Sequence, residues 1–288
     1  MIQWYPGHMA KAKKDIEARL RVIDIIFELV DARIPFSSKN PMIASMLANK
    51  PKLLLLTKAD LADAYQSKKW AHYYEREGYQ VLAIDALSGL NVKRIGKWAK
   101  EVLADKLAKE KAKGLLERPL RAMIVGIPNV GKSTLINTLV KRKTTMVGNK
   151  PGVTKAQQWV RVNPQFDLLD TPGVLWPKFD DEKVGLHLAL AGAIKDEVLD
   201  VFKLGEYLIA FLGNHYPQVL WEKWEITSPM TFDAVLEQIA KKNGFIKTDY
   251  QERVLDLIIK EFRSGRLGRI TLDRFAQFKL GNPENDEL

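Results

Sequence analysis

Gly126-Ile127-Pro128-Asn129-Val130-Gly131-Lys132-Ser133 decides the fold. It fits the G-x-x-x-x-G-K-[ST] pattern; Arg121 to Val125 before it reads as a strand, and Lys132 to Val140 after it as a helix. In that setting the backbone N–H groups of Asn129, Val130, Gly131 and on to Thr134 converge at a helix N-terminus and cradle phosphate oxygens. Lys132 is placed to reach the β- and γ-phosphates, and the Ser133 hydroxyl to bind Mg2+.

About forty residues onward, Asp170-Thr171-Pro172-Gly173 follows the apolar run Phe166 to Leu169. At a strand end and at that spacing, Asp170 is expected to hold Mg2+ through water, while the Gly173 N–H bonds the γ-phosphate and senses its loss. Between the two motifs, in the loop Lys141 to Lys155, Pro151-Gly152-Val153-Thr154 supplies a threonine able to close over Mg2+; Thr144, Thr145 and Thr171 are its rivals.

The matching base-reading element lies on the other side. Thr57-Lys58-Ala59-Asp60 follows the apolar run Leu53 to Leu56, about seventy residues before the phosphate loop. Asp60 can accept from guanine N1–H and the N2 amino group together, which adenine cannot satisfy, so GTP and GDP are the expected ligands and ATP is disfavoured. Lys58 packs its stem over the base. Thr57 stands where Asn is usual, so one polar contact is reshaped. Asp85-Ala86-Leu87-Ser88-Gly89 occupies the place of a second base contact, with the Ala86 N–H facing guanine O6 and Asp85 atypical there.

Strands at Val22 to Val30, Leu53 to Leu56 and Gln80 to Ile84 alternate with helical stretches at Gln66 to Glu77 and Asn91 to Lys113, and Gln158 to Val162 with Phe166 to Leu169 reads as a hairpin. The expected fold is α/β, a doubly wound P-loop domain with circularly permuted motif order over 1–178, including an N-terminal basic segment. A smaller all-helical domain follows over 179–288, with helices at Val198 to Leu212, Thr231 to Asn243 and Thr248 to Arg263. Its Trp221, Trp224, Phe232, Tyr250, Phe262 and Phe275 read most simply as core.

Hydrophobic residues make up 46% and charged residues 28% of the 288, an ordinary globular balance. No apolar run is long enough to cross a bilayer, and the start lacks the apolar core of a signal peptide. The absence of cysteine excludes disulfides and thiolate metal sites. The expected setting is the cytoplasm, with no membrane and no DNA partner. The net charge of +10 is concentrated in residues 1–199, which carry 33 basic against 21 acidic residues. That excess is more than a nucleotide needs and suits RNA, or a protein that is merely basic. Arg263, Arg266, Arg269 and Arg274 form a local cluster that suits either RNA or a solvated helix face.

The motif order resembles that of circularly permuted GTPases. Gln3-Trp4-Tyr5-Pro6-Gly7-His8-Met9-Ala10-Lys11-Ala12, Asp31-Ala32-Arg33-Ile34-Pro35 and Asp170-Thr171-Pro172-Gly173-Val174-Leu175-Trp176-Pro177 resemble the ribosome biogenesis GTPase A (YlqF/RbgA) family from Gln3 to about Asp196. The resemblance implies a GTP-hydrolysing assembly factor for the large ribosomal subunit and its rRNA. The other reading is an RNA-binding scaffold that uses GTP as an occupancy switch. Val174 and Leu175 follow Gly173 where a water-orienting Gln is otherwise found, and neither can polarise water. The resemblance implicates His8 in that role, against a structural or RNA-contacting one. Asn129 within Gly-x-Pro-Asn-x-Gly-Lys-Ser resembles GTPases in which this Asn helps hold K+ beside the phosphates, against simply fitting the loop.

Overall fold

The computed structural model describes residues 6–47, 49–116, 118–140, 157–176, 179, 181–196, 200–245 and 249–278, with residues 6–10 as backbone only. Its centre is one sheet of six strands, β1 (Ile25–Asp31), β2 (Lys52–Thr57), β3 (Gln80–Ala83), β4 (Leu120–Val125), β5 (Gln158–Asn163) and β6 (Phe166–Asp170). The order is β3-β2-β1-β4-β6-β5, parallel except for the β5–β6 hairpin. The chain winds outward one way through β1, β2 and β3, then restarts at β4 and winds the other way. The reversal lies between β1 and β4, and loops leaving the carboxyl ends of strands meet at such a point. Both halves of the permuted motif set therefore open onto one edge.

Every residue of β1 is buried, as a central strand covered on both faces requires. One face packs Phe27, Leu29, Leu53, Leu55 and Ile124 against α4 (Ile95–Val102) and α6 (Lys132–Val140). The other packs Ile26, Met123 and Leu169 with Ile16 of α1 (Pro6–Arg19) and Ile43 of α2 (Pro41–Met46). Beside them Val30, Leu54 and Leu56 meet Trp70 and Tyr74 of α3 (Ala64–Arg76).

The single helix expected over Asn91 to Lys113 is two. A 3-10 turn at Val92–Arg94 leads into α4, and α5 (Ala104–Ala112) begins after Leu103. Leu103 is buried in the core, whereas α5 buries no residue, having charges on all sides and no apolar stripe. The first strand begins at Ile25, later than Val22, which is exposed.

Beyond Asp170 the described residues hold helices and no strand: α7 (Glu182–Leu190), α8 (Val201–His215), α9 (Pro217–Trp224), α10 (Phe232–Lys242) and α11 (Tyr250–Ser264). Their buried faces continue the apolar cluster of the sheet. After α11 the chain returns to the α/β half. Ile270 N donates to Leu61 O at 3.0 Å, Leu272 N to Arg33 O at 2.8 Å, and Trp70 Nε1 to Asp273 O at 2.8 Å. Asp273 also accepts from Ser37 N and Oγ and meets His187 Nδ1 at 2.6 Å, a buried polar latch joining three distant segments. Trp224 and Phe262 are core as expected, while Trp221 is exposed.

Candidate functional site

The phosphate loop runs from the end of β4 into α6 with Asn129 in the left-handed region (φ 58°). Gly126 is required by close approach, since a Cβ there would lie 2.8 Å from the Leu29 carbonyl oxygen. Lys132 is buried, and its Nζ donates to Gly126 O at 3.0 Å and Ile127 O at 2.7 Å, spanning the loop from within. Burial holds its ammonium down to about 8, with Asp170 acting the other way. Asp170, at the end of β6 opposite Ile124, is fully buried, and among the described residues neither carboxylate oxygen has a hydrogen-bond partner. Burial pushes its pKa up to about 6 against the pull of Lys132.

A buried carboxylate left without donors is uncommon and calls for an ion or a ligand. Among the described residues no group of three His, Asp or Glu side chains could hold a metal by itself. One carboxylate, together with a serine hydroxyl opening the helix after a phosphate cradle, is the sparse oxygen set that Mg2+ uses with nucleotides. Ser133, half-buried at the start of α6, adjoins Lys132, and Thr134 follows it. The residues present fit that ion.

Gly173 lies directly on the phosphate loop. A Cβ at this position would stand 2.7 Å from Pro128 Cα and N, and Val174 N donates to Gly126 O at 3.3 Å. Thr171, a rival of Thr154, instead donates its hydroxyl to Ile124 O at 2.7 Å and is buried. Val174 and Leu175 are buried apolar residues.

The Thr57–Asp60 segment, where base reading is expected, is tied to the same loop. Thr57 ends β2, and its buried hydroxyl lies 2.7 Å from Val130 O, bridging the two motifs. Lys58, in the left-handed region at φ 56°, donates Nζ to Asp31 Oδ2 at 2.8 Å. Asp31 also accepts from Arg33 Nε at 3.0 Å and Nη2 at 2.8 Å. Burial would raise the Asp31 pKa, but Arg33 and Lys58 outweigh it and hold the carboxyl well below its usual range. Asp31 and Arg33 thus serve as the scaffold that aims Lys58. Asp60 is only partly buried, and burial together with Asp85 raises its pKa. Asp85 turns its carboxylate onto its own loop, accepting from Leu87 N at 2.8 Å and Ser88 N at 3.0 Å. Ala86 O accepts from Thr138 of α6 at 2.7 Å, which anchors the Asp85–Gly89 loop to the helix that follows the phosphate loop.

The helical half reaches the site too. Asn129 Nδ2 donates to Gly192 O, just past α7, at 2.7 Å. Arg263 of α11 donates to the α7 carbonyls of Leu190 and Ala189 and pairs with Asp196, while its own carbonyl accepts from Arg33 Nη1 at 3.3 Å. Arg274 likewise pairs with Asp63. Of the four-arginine cluster, Arg266 and Arg269 remain exposed. Asp31, Arg33, Thr138, Gly192 and Arg263 had no motif to mark their part in the site, although Asp31-Ala32-Arg33 lay inside a family-like stretch. The His8 side chain, and Thr154 with Thr144 and Thr145, lie outside the described residues.

The sequence model of a family described as "50S ribosome-binding GTPase" matches residues 121–218, beginning at the strand that enters the phosphate loop. The chain is 45% identical to Ribosome biogenesis GTPase A of Bacillus licheniformis over 95% of this chain and 98% of the relative. It is 34% identical to Mitochondrial ribosome-associated GTPase 1 of Bos taurus over 94% of this chain and 88% of the relative. Among solved structures it is similar to GNP-bound YlqF from T. maritima, with a TM-score of 0.64 and 28% identity over 92% of this chain and 98% of that one.

Proposed function

The chain belongs to the ribosome biogenesis GTPase A family, and on that premise we propose that it hydrolyses GTP while bound to the large ribosomal subunit and its rRNA in the cytoplasm, coupling the reaction to subunit maturation or its own release. The observation that carries this reading is the meeting of the two motif sets at one sheet edge, with the Thr57 hydroxyl 2.7 Å from Val130 O. Residues 1–178 then act as the nucleotide domain and 179–288 as the helical, ribosome-facing one.

In this reading Asp60 selects guanine, Lys58 covers the base and the Ala86 N–H meets O6. Asp85 shapes that loop through its own turn, and Thr57 holds the phosphate loop in place. The N–H groups of Asn129, Val130, Gly131 and Thr134 cradle the phosphates, and Lys132 exchanges its loop carbonyls for the β- and γ-phosphate oxygens. Ser133, Thr154 and, through water, Asp170 would hold Mg2+, which when bound supplies positive charge at the phosphate oxygens. The Asn129 amide oxygen has the chemistry to help hold K+. Water attacks the γ-phosphorus, and GTP becomes GDP and phosphate. With Val174 and Leu175 unable to orient that water, His8 takes the role. Eight residues separate Gly173 from the start of α7, so loss of the γ-phosphate shifts the helical half.

The test is the rate of GTP hydrolysis with and without saturating purified large subunits. Strong stimulation is expected, reduced about 100-fold or more in His8→Ala. A rate indifferent to the particles would overturn the reading, and an unchanged His8→Ala rate would remove His8 from it.

A further inference from the structure

The outer strand β5 presents an aromatic and cationic surface that the nucleotide site does not use. Val160 turns into the core, while Trp159 and Arg161, on the opposite face, are 41% and 60% exposed. The register sets Arg161 opposite Asp167 and Asp167 opposite Arg121, so three charges form a row across β5, β6 and β4. Trp159 stands beside that row, with the Arg121 guanidinium carbon 5.8 Å from its ring centre. The four side chains line a hollow of about 360 Å³. On the same sheet face Met123 and Leu169 are buried with residues of α1 and α2, but that cover stops short of Trp159.

A half-exposed indole flanked by two guanidiniums and one carboxylate offers a flat stacking face with a net positive rim. An exposed Arg161–Asp167 pair contributes little to stability and can be exchanged for another anion. The excess of basic over acidic residues in 1–199 makes a polyanion the complementary occupant. A flat face favours one whose anionic backbone carries rings.

We propose that this surface binds unpaired RNA, one base stacking on Trp159 and the adjoining phosphates meeting Arg121 and Arg161. The proposal rests on the reading that the protein works on rRNA and adds a second contact region, on the nucleotide domain itself. The contact would be felt at the site, because Trp159 pairs with Leu169 and Gln158 with Asp170.

The test is fluorescence anisotropy of the full-length protein with a labelled single-stranded oligoadenylate of about a dozen nucleotides. Trp159→Ala is expected to weaken binding about tenfold, with Trp159→Phe keeping most of the affinity. Arg121→Ala and Arg161→Ala should each reduce the slope of log affinity against log salt by about one. Duplex RNA, with no base to stack, should be indifferent to Trp159→Ala. RNA-independent GTP hydrolysis, unchanged in these variants, reports that they fold. Undiminished oligoadenylate binding by Trp159→Ala, or equal loss in Trp159→Phe and Trp159→Ala, overturns the proposal and leaves the rRNA reading intact. A wild-type protein that does not bind the oligonucleotide overturns the proposal; if it also fails to bind large-subunit rRNA, the underlying reading falls with it. Competition by polyglutamate as strong as by RNA would overturn it in favour of an acidic protein partner.

Discussion

The side-chain amide of Asn129 donates to the carbonyl of Gly192 at 2.7 Å, so the phosphate loop is bonded to the end of α7. Asn129 has φ 58°, where alanine would be strained, so Asn129→Gly deletes the side chain without forcing the loop. Loss of this bond should cost about 1 kcal/mol in urea unfolding. The wild type should hydrolyse GTP faster in K+ than in Na+, and Asn129→Gly should not distinguish them. Equal wild-type rates in the two salts would remove K+ from the mechanism.

Thr57→Val keeps the shape of the side chain and removes the hydroxyl that Val130 O accepts from. A buried carbonyl left without its donor costs about 1–3 kcal/mol. The expected result is a lower melting temperature together with a several-fold weaker affinity for a fluorescent GTP analogue, restored by Thr57→Ser. Unchanged affinity would show that the phosphate loop holds its form without this tie.

Asp170 sets function against stability. Its buried oxygens find no hydrogen-bond partner among the described residues, and a pKa raised to about 6 by burial means that ionisation in the folded state is penalised as pH rises from about 4 through about 6. Asp170→Asn should therefore raise the stability of the nucleotide-free protein at pH 7, by on the order of 1 kcal/mol. The same change should abolish the tightening of GTP binding by Mg2+. A destabilised variant with intact Mg2+ dependence would assign Asp170 a purely structural place.

Asp31 and Asp24 behave in the opposite sense. Burial would raise both, yet Arg33 and Lys58 outweigh it at Asp31, and Arg118 and Lys106 at Asp24, holding both well below the usual carboxylate range. Their stabilisation is present above about pH 4 and is lost as pH falls. Asp31→Asn leaves the buried Arg33 uncompensated and should cost about 3–5 kcal/mol at neutral pH. Denaturant titrations from pH 7 to pH 3 should show that difference shrinking with acid. A difference independent of pH would contradict the assignment.

The phosphate loop, its strand and α6 were legible because their signals are local: an apolar run, spaced glycines and a lysine opening a helix. Helices α2 and α7 also carried local signals that could have been read, Asn40-Pro41 and Asp181-Glu182, where Asn40 and Asp181 cap the first turns. The break at Leu103 was not legible, since it depends on which residue the core admits. Nor were the bonds from Asn129 to Gly192 and from Arg33 to the Arg263 carbonyl, which join residues 63 and 230 positions apart. Charge in a sequence does not name its partner either: Arg263 and Arg274, grouped with two exposed arginines, hold the fold together.

The central claim is that loss of the γ-phosphate moves the helical half relative to the sheet. The chain has no cysteine, so spin labels can be placed cleanly at Lys97→Cys on α4 and Lys260→Cys on α11, at side chains 78% and 69% exposed. Pulsed electron–electron distance measurements in the GTP-analogue and GDP states should give two distinct distributions, converging to one in Asn129→Gly. Superimposable distributions in the wild type would contradict the account.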